Sequence, residues 1–208
     1  GGGTQEQGAP DTWKFSIDVA QAWEQTCLAA DTPQTRKVLL RSAMVMSPDA
    51  GGVFDVLLRL VRVGLGGRQG NGRQFVSWIH EHDFVRAVRW LTEHDDIEGA
   101  VNLASPNPLP NADFMRALRK AWGAKLGLPA TKWMLEVGAF LLRTESELIL
   151  KSRRVIQGRL LDAGFEFRHP QWPQAASELV RRWREWHTAS TSALSSQPTD
   201  IPLHHGAT

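Results

Sequence analysis

Five glycines fall within residues 64–72 of the stretch GLGGRQGNGRQFVSWIHEHD (64–83), and His80, His82 and Asp83 close it. Glycines at that density suit a loop that wraps a phosphate, because backbone N–H groups can approach an anion where no Cβ intervenes. A dinucleotide fingerprint needs glycines at i, i+2 and i+5, after a strand and opening a helix. Gly64 and Gly66 meet the first spacing, but Gln69 stands at the third position. The context is also reversed, running from a helical pattern into an extended one. No Gly-Lys-Ser/Thr follows, so a P-loop fails. The glycines read as a helix stop at Gly66-Gly67 and a turn behind it.

The run His80-Glu81-His82-Asp83 offers donors enough for a metal-dependent hydrolase, yet no third ligand stands at a recognised zinc spacing. No metal ligand is therefore assigned. The plainer reading makes Asp83 a helix cap, His80 a local hydrogen-bonding residue that fixes the turn, and His82 exposed. Lys151, Arg153, Arg154, Arg159, Arg168, Arg181, Arg182 and Arg184 form a loose cationic region. It reads first as a solvated face, and second as a surface for an anionic ligand or nucleic acid. Glu145 and Glu147 diverge at helical spacing and make no acid/base dyad. His204-His205 lies in the tail and takes no role.

Composition narrows the classes. The 208 residues carry 24 Lys and Arg against 22 acids, a net charge of +2 that is too balanced for a dedicated nucleic-acid binder. One cysteine, Cys27, excludes an internal disulfide framework and fits a reducing cytoplasm; its place in a helical pattern reads as buried. No apolar run spans a bilayer. The chain holds nine tryptophans and no tyrosine, so no phenol can act as its acid or base.

The elements that must position these residues follow from periodicity. Residues 1–12 read as a flexible loop. A helix follows from Trp13, with Phe15, Val19 and Trp23 at four-residue spacing. The run RKVLLRSAMVMS (36–47), bounded by Pro33 and Pro48, is the pattern of one strand buried on both faces, which implies an α/β class. Phe54, Leu57, Leu58, Val61 and Leu65 fit a helix face. QFVSWIH (74–80) and AVNLAS (100–105) read as short strands, and Phe114, Leu118 and Trp122 mark a helix over about 111–125. Helices are expected over 131–143, 144–163 and 173–187, the last with a Leu179, Trp183, Trp186 stripe. Residues 188–208, rich in Ser, Thr and Pro, read as a disordered tail. The domains expected are 13–105 and a mainly helical lobe over 106–187.

Four blocks, LLRSAMVMSPDAGG, GRQGNGRQFVSWIHEHDFVRAV, GAVNLASPNPLPNADFMRAL and RLLDAGFEFRHP, together resemble the second half of an extended short-chain dehydrogenase/reductase of the epimerase-like branch. DTWKFSIDVAQAWE is similar to that branch's helix after the catalytic tyrosine region. The resemblance covers about residues 10–187. It implies the second half of a Rossmann-type doubly wound fold with a helical C-terminal substrate lobe, and NAD(P) as cofactor of the complete enzyme. It implies Ser42, Met44, Ser47 and Pro48 on the cofactor side. Arg73, Trp78 and His80 fall on the side of a small-molecule, nucleotide-sugar-like substrate.

The branch's glycine fingerprint and Tyr-x-x-x-Lys region precede everything here. No catalytic residue is therefore assigned, and tight cofactor binding by this chain alone is not expected. The opening Gly-Gly-Gly without methionine suggests a start that is not natural. Two readings stay open: a C-terminal fragment of a longer enzyme, or a degenerate non-catalytic relative. Either way the chain has too few strands for a stable open sheet, so its expected partners are a missing N-terminal Rossmann half or a second copy. Neither membrane nor nucleic acid is expected. The reading from another class is a non-catalytic module that binds an acidic partner through the basic helical region.

Overall fold

The computed structural model describes residues 11–129 and 158–195. Its elements run α1 (Asp11–Ala29), β1 (Val38–Ser42), β2 (Met44–Met46), α2 (Val53–Arg62), β3 (Phe75–Val76), β4 (Trp78–His80), α3 (Glu81–Glu93), β5 (Gly99–Leu103), β6 (Leu109–Pro110), α4 (Asn111–Trp122), α5 (Gly158–Asp162) and α6 (Trp172–Ser195).

The 36–47 run is not one strand covered on both faces. It divides at Ala43 into β1, parallel to β5 with Val38 opposite Gly99, and β2, parallel to β4 with Met44 opposite Trp78 and Met46 opposite His80. Ala43 still donates its N–H to the Leu103 carbonyl at 2.9 Å, and Ser105 N–H reaches the Trp78 carbonyl at 2.7 Å. Thus β4 takes over as partner where β5 leaves. Among the described residues β1 has no strand on its other edge, and Leu40, Arg41 and Ser42 are exposed.

Alternation along β4 divides the core between two faces. Trp78 joins Met46, helices α2 and α4, and the Ala175, Ala176, Leu179, Val180 and Trp183 face of α6. Ile79 joins Ala87 and Leu91 of α3, Val101 and Leu103 of β5, Leu160 of α5 and Phe165. Helices thus cover both sides of short parallel strands, the α/β arrangement expected. The first cluster draws on residues from both sides of position 105, so the two expected lobes share one core.

Trp172 locks that core. Its ring stacks on Phe114 at 3.9 Å, meets Trp78 edge-on at 5.0 Å, and its Nε1–H donates to the Phe114 carbonyl at 2.9 Å. A buried indole needs such an acceptor, because an unpaired N–H would cost about 1–3 kcal/mol.

Several local expectations are corrected. Helix α2 stops at Arg62, and Gly64 at φ +81° makes the turn, so the Gly66-Gly67 pair lies beyond the helix end. Phe15 and Trp23 of α1 are 75% and 73% exposed, and Cys27 is exposed. Helix α1 meets the remainder chiefly through Glu24, which pairs with Arg41 at 2.6 Å, and through carbonyls that accept from Lys37. Trp186 is 62% exposed and lies off the buried stripe of α6. The helix runs on to Ser195, so residues 188–195 are helical, not disordered tail. Residues 1–10, 130–157 and 196–208 lie outside the described residues. With them go the expected N-terminal loop up to residue 10 (Asp11 and Thr12, expected in it, already belong to α1), the 131–143 helix, most of the 144–163 helix, Glu145, Glu147, Lys151, Arg153, Arg154 and the His204-His205 pair. Among the described residues no helix is long and apolar enough to cross a membrane.

Candidate functional site

Ligands of open α/β sheets collect beyond the carboxyl ends of the parallel strands. Here those ends are Met46 of β2 and His80 of β4, side by side in register. Ser47 and Pro48 leave the first, and helix α3 leaves the second. Helix α6 crosses the same end, and Pro48, Arg182, Glu185, Trp186 and Ala189 line a shallow concavity of about 350 Å³.

His80 is fully buried at the strand-to-helix junction. It is itself the cap of α3: Nδ1 accepts the N–H of His82 at 3.1 Å, satisfying a helix donor that has no partner inside the helix. Nδ1 is therefore unprotonated, and the ring proton sits on Nε2, which donates to Glu178 Oε2 of α6 at 2.9 Å. Burial holds the imidazole pKa below its usual value. The Glu178 hydrogen bond opposes that shift, and the neighbouring His169 and His82 rings add to it.

Asp83, read from sequence as the cap, lies inside the first turn and reaches elsewhere. Its buried carboxylate accepts the N–H groups of Arg168 at 2.9 Å and His169 at 2.7 Å, and pairs with Arg86 at 3.0 Å. This brings His169 onto His80, the rings stacked with centroids 3.8 Å apart and 19° between planes. His82, exposed as expected, completes a group of three imidazoles. Arg182 of α6 pairs with Glu81 at 2.5 Å and lies 3.7 Å from Glu178.

The residues implied by the resemblance divide. Met44, Ser47, Pro48, Trp78 and His80 come together through the β2–β4 pairing. Trp78 is fully buried, with Nε1–H 3.3 Å from the Asn107 carbonyl, and offers no surface to a substrate; its place is in the core. His80 likewise acts from beneath the surface. Ser47 Oγ bonds Asp49 Oδ2 at 2.6 Å, tightening the turn after β2. Ser42 faces outward on β1, its hydroxyl on the Ala43 carbonyl. Arg73 is exposed on the glycine loop, where its N–H bonds Asn71 Oδ1 at 2.9 Å, and it is not among the residues around the concavity.

Sequence reasoning did not find Glu178 or His169 as site residues, and it named Arg182 only within the loose cationic region. His169 was visible only as part of the FEFRHP block, and no spacing ties it to residue 80. The arginines of α6 are engaged within the chain: Arg181 on Glu185 and Arg182 on Glu81, with Arg184 on the Trp122 carbonyl and over its ring.

An α/β core with its polar cluster at the carboxyl ends of parallel strands defines the general class. Within it, the chain is 35% identical over 170 residues to an epimerase family protein of Mycobacterium leprae, covering 81% of the chain and 54% of that relative. It is 38% identical over 157 residues to one of Mycobacterium bovis, covering 74% and 50%. The crystal structure of human epimerase family protein SDR39U1 with NADPH superposes with a TM-score of 0.68 at 28% identity, over 80% of this chain and 55% of that one. A UDP-N-acetylglucosamine 4-epimerase from Bacillus cereus shares the fold with a TM-score of 0.63 at 15% identity, over 88% and 59%. Residues 130–179 match a family described as a domain of unknown function (DUF1731). The chain spans about half the length of the curated relatives it matches.

Proposed function

We propose that this chain supplies the C-terminal portion of an epimerase-like, NAD(P)-dependent oxidoreductase, contributing one wall of the nicotinamide site and the substrate lobe, and is not catalytic by itself. The observation that carries this reading is the β2–β4 register, which sets Ser47-Pro48 beside His80 at the carboxyl end of the strands. The edge of β1 that pairs with no strand among the described residues supports it, since a short parallel strand calls for a neighbour on both sides.

The residues present fit part of the cofactor. Pro48, Trp186 and Ala189 offer an apolar ledge for a flat ring, with the Arg182 cation beside it. Among the described residues the glycine-rich loop 64–72 runs from helix to strand, so it does not suit a pyrophosphate at a helix start. When bound, the nicotinamide supplies hydride transfer. Ser47 and Pro48 would hold the ring's edge, and Arg182 would meet an anionic part of the substrate. The His80–Glu178 pair would hold α6 against the strand ends, so that the ledge keeps its shape. Among the described residues no side chain is assigned the substrate proton, which this reading leaves to the rest of the complete enzyme.

Calorimetric titration with NADPH tests the reading. The chain alone is expected to give no binding in the micromolar range. Micromolar binding, or turnover of any nucleotide sugar by the chain alone, overturns it.

A further inference from the structure

We propose that His80, His82 and His169 form a binding site for a divalent ion of the zinc class, joining the start of α3 to the 165–170 segment. One ligand atom from each ring can be chosen such that all three lie within 4.8 Å of one another. Around a tetrahedral zinc ion, nitrogens bound at about 2.0–2.1 Å sit about 3.3 Å apart. Closure requires exposed His82 and half-buried His169 to turn, the His169 ring leaving its stack on His80, and the His82 N–H to move off His80 Nδ1.

Three features separate this group from a chance cluster. His80 already donates Nε2–H to Glu178, which leaves Nδ1 as its lone-pair nitrogen. A carboxylate on the far nitrogen of a ligating imidazole is the arrangement that fixes tautomer and ring orientation in metal sites. An ion at Nδ1 would displace the cap bond from the His82 N–H at 3.1 Å. Second, His169 is not brought in by a loose loop: its backbone N–H is tied to Asp83, one residue from His82. Third, the nearby carboxylates have partners of their own, Glu178 on His80 and Glu81 between Arg182 and, at 3.9 Å, His82. The donor set is then three imidazoles, which suits zinc, nickel or copper rather than calcium or magnesium. A fourth position is left for a solvent or ligand oxygen.

The proposal stands apart from the cofactor reading and is tested without any activity. The parent protein carries His204→Ala and His205→Ala, which removes the other histidine pair. After chelation and dialysis, Zn²⁺ is titrated calorimetrically, and Co²⁺ is followed by its visible absorption. The expected result is a single equivalent bound, with tetrahedral cobalt bands and a rise in Tm on adding Zn²⁺. His82→Ala and His169→Ala each abolish the bands and weaken Zn²⁺ at least about tenfold, and Glu178→Gln weakens it about 10- to 100-fold. His94→Ala, outside the cluster, changes nothing. Circular dichroism confirms that the variants fold, and the exposed His82 gives a variant whose folding is not at stake. No binding by the parent, or affinity unchanged in His82→Ala and His169→Ala, overturns the proposal.

Discussion

The Asp83 carboxylate accepts the backbone N–H of His169 at 2.7 Å across 86 residues of sequence. Its other oxygen takes the N–H of Arg168 at 2.9 Å, so one buried side chain of α3 fixes two consecutive peptides of a segment with no regular structure. Such a segment cannot satisfy its own donors, and Asp83 does for it what a neighbouring strand would do.

Asp83→Ala is therefore expected to cost about 2–4 kcal/mol, because two donors lose their acceptor together. Asp83→Asn keeps an oxygen for one of them and should cost less. Urea unfolding of the three proteins measures the order, and equal losses in the two variants would mean that the paired acceptance is not what matters.

The close approach at Gly67 predicts a second, steric effect. A Cβ there would lie 2.5 Å from the backbone carbon and oxygen of Leu128 and 2.6 Å from the Gly127 carbonyl oxygen. Gly67 N–H bonds the Leu128 carbonyl at 3.0 Å, and Leu128 N–H returns to Gly64 at 2.8 Å, so the two backbones cannot part freely. Gly67→Ala should cost about 1–3 kcal/mol by overpacking. Gly51→Ala, with open space but φ +80°, should cost about 1 kcal/mol from backbone strain alone. Chemical denaturation distinguishes them.

Two tryptophans predict opposite outcomes. Trp172→Ala removes a stacked, hydrogen-bonded core ring and should cost about 3–5 kcal/mol. Trp23→Ala removes a ring exposed on α1 and should change stability by less than about 0.5 kcal/mol. Denaturation midpoints decide it, and a comparable loss at Trp23 would show that α1 is packed after all.

The contrast also marks what was legible in the sequence. Helices α2 and α4 were visible because a 3.6-residue apolar period is written locally, and the structure buries Phe54, Leu57, Leu58 and Val61, then Phe114 and Leu118. The same period in α1 promised a buried face that the described residues do not cover, since periodicity says which face is apolar and not what lies against it. The break at Ala43 was hidden because it arises from a change of partner, β5 to β4, which no residue type signals. Within the site, the bond from the His82 N–H to His80 is two residues long and was readable. Glu178 lies 98 residues away on another helix, and only folding brings it to His80.

Asp55 predicts how stability responds to acid. It is buried in the first turn of α2, where burial by itself pushes its pKa up. The N–H of Gly51 at 2.9 Å, then Arg59 at 2.8 Å, more than offset that and hold the carboxyl below its ordinary value. A folded-state pKa below the unfolded one means that the unfolded chain takes up the proton first. This contribution is then fully present above the unfolded value of about 3.9 and is lost as pH falls through the folded value. Asp55→Asn should cost about 1–2 kcal/mol at neutral pH, because it weakens the charge-assisted bonds to Gly51 and Arg59. It should also flatten the acid limb, so the two proteins converge as pH drops below about 4. Urea midpoints measured from pH 7 to pH 3 test this, and parallel pH profiles would show that the Asp55 charge does not contribute.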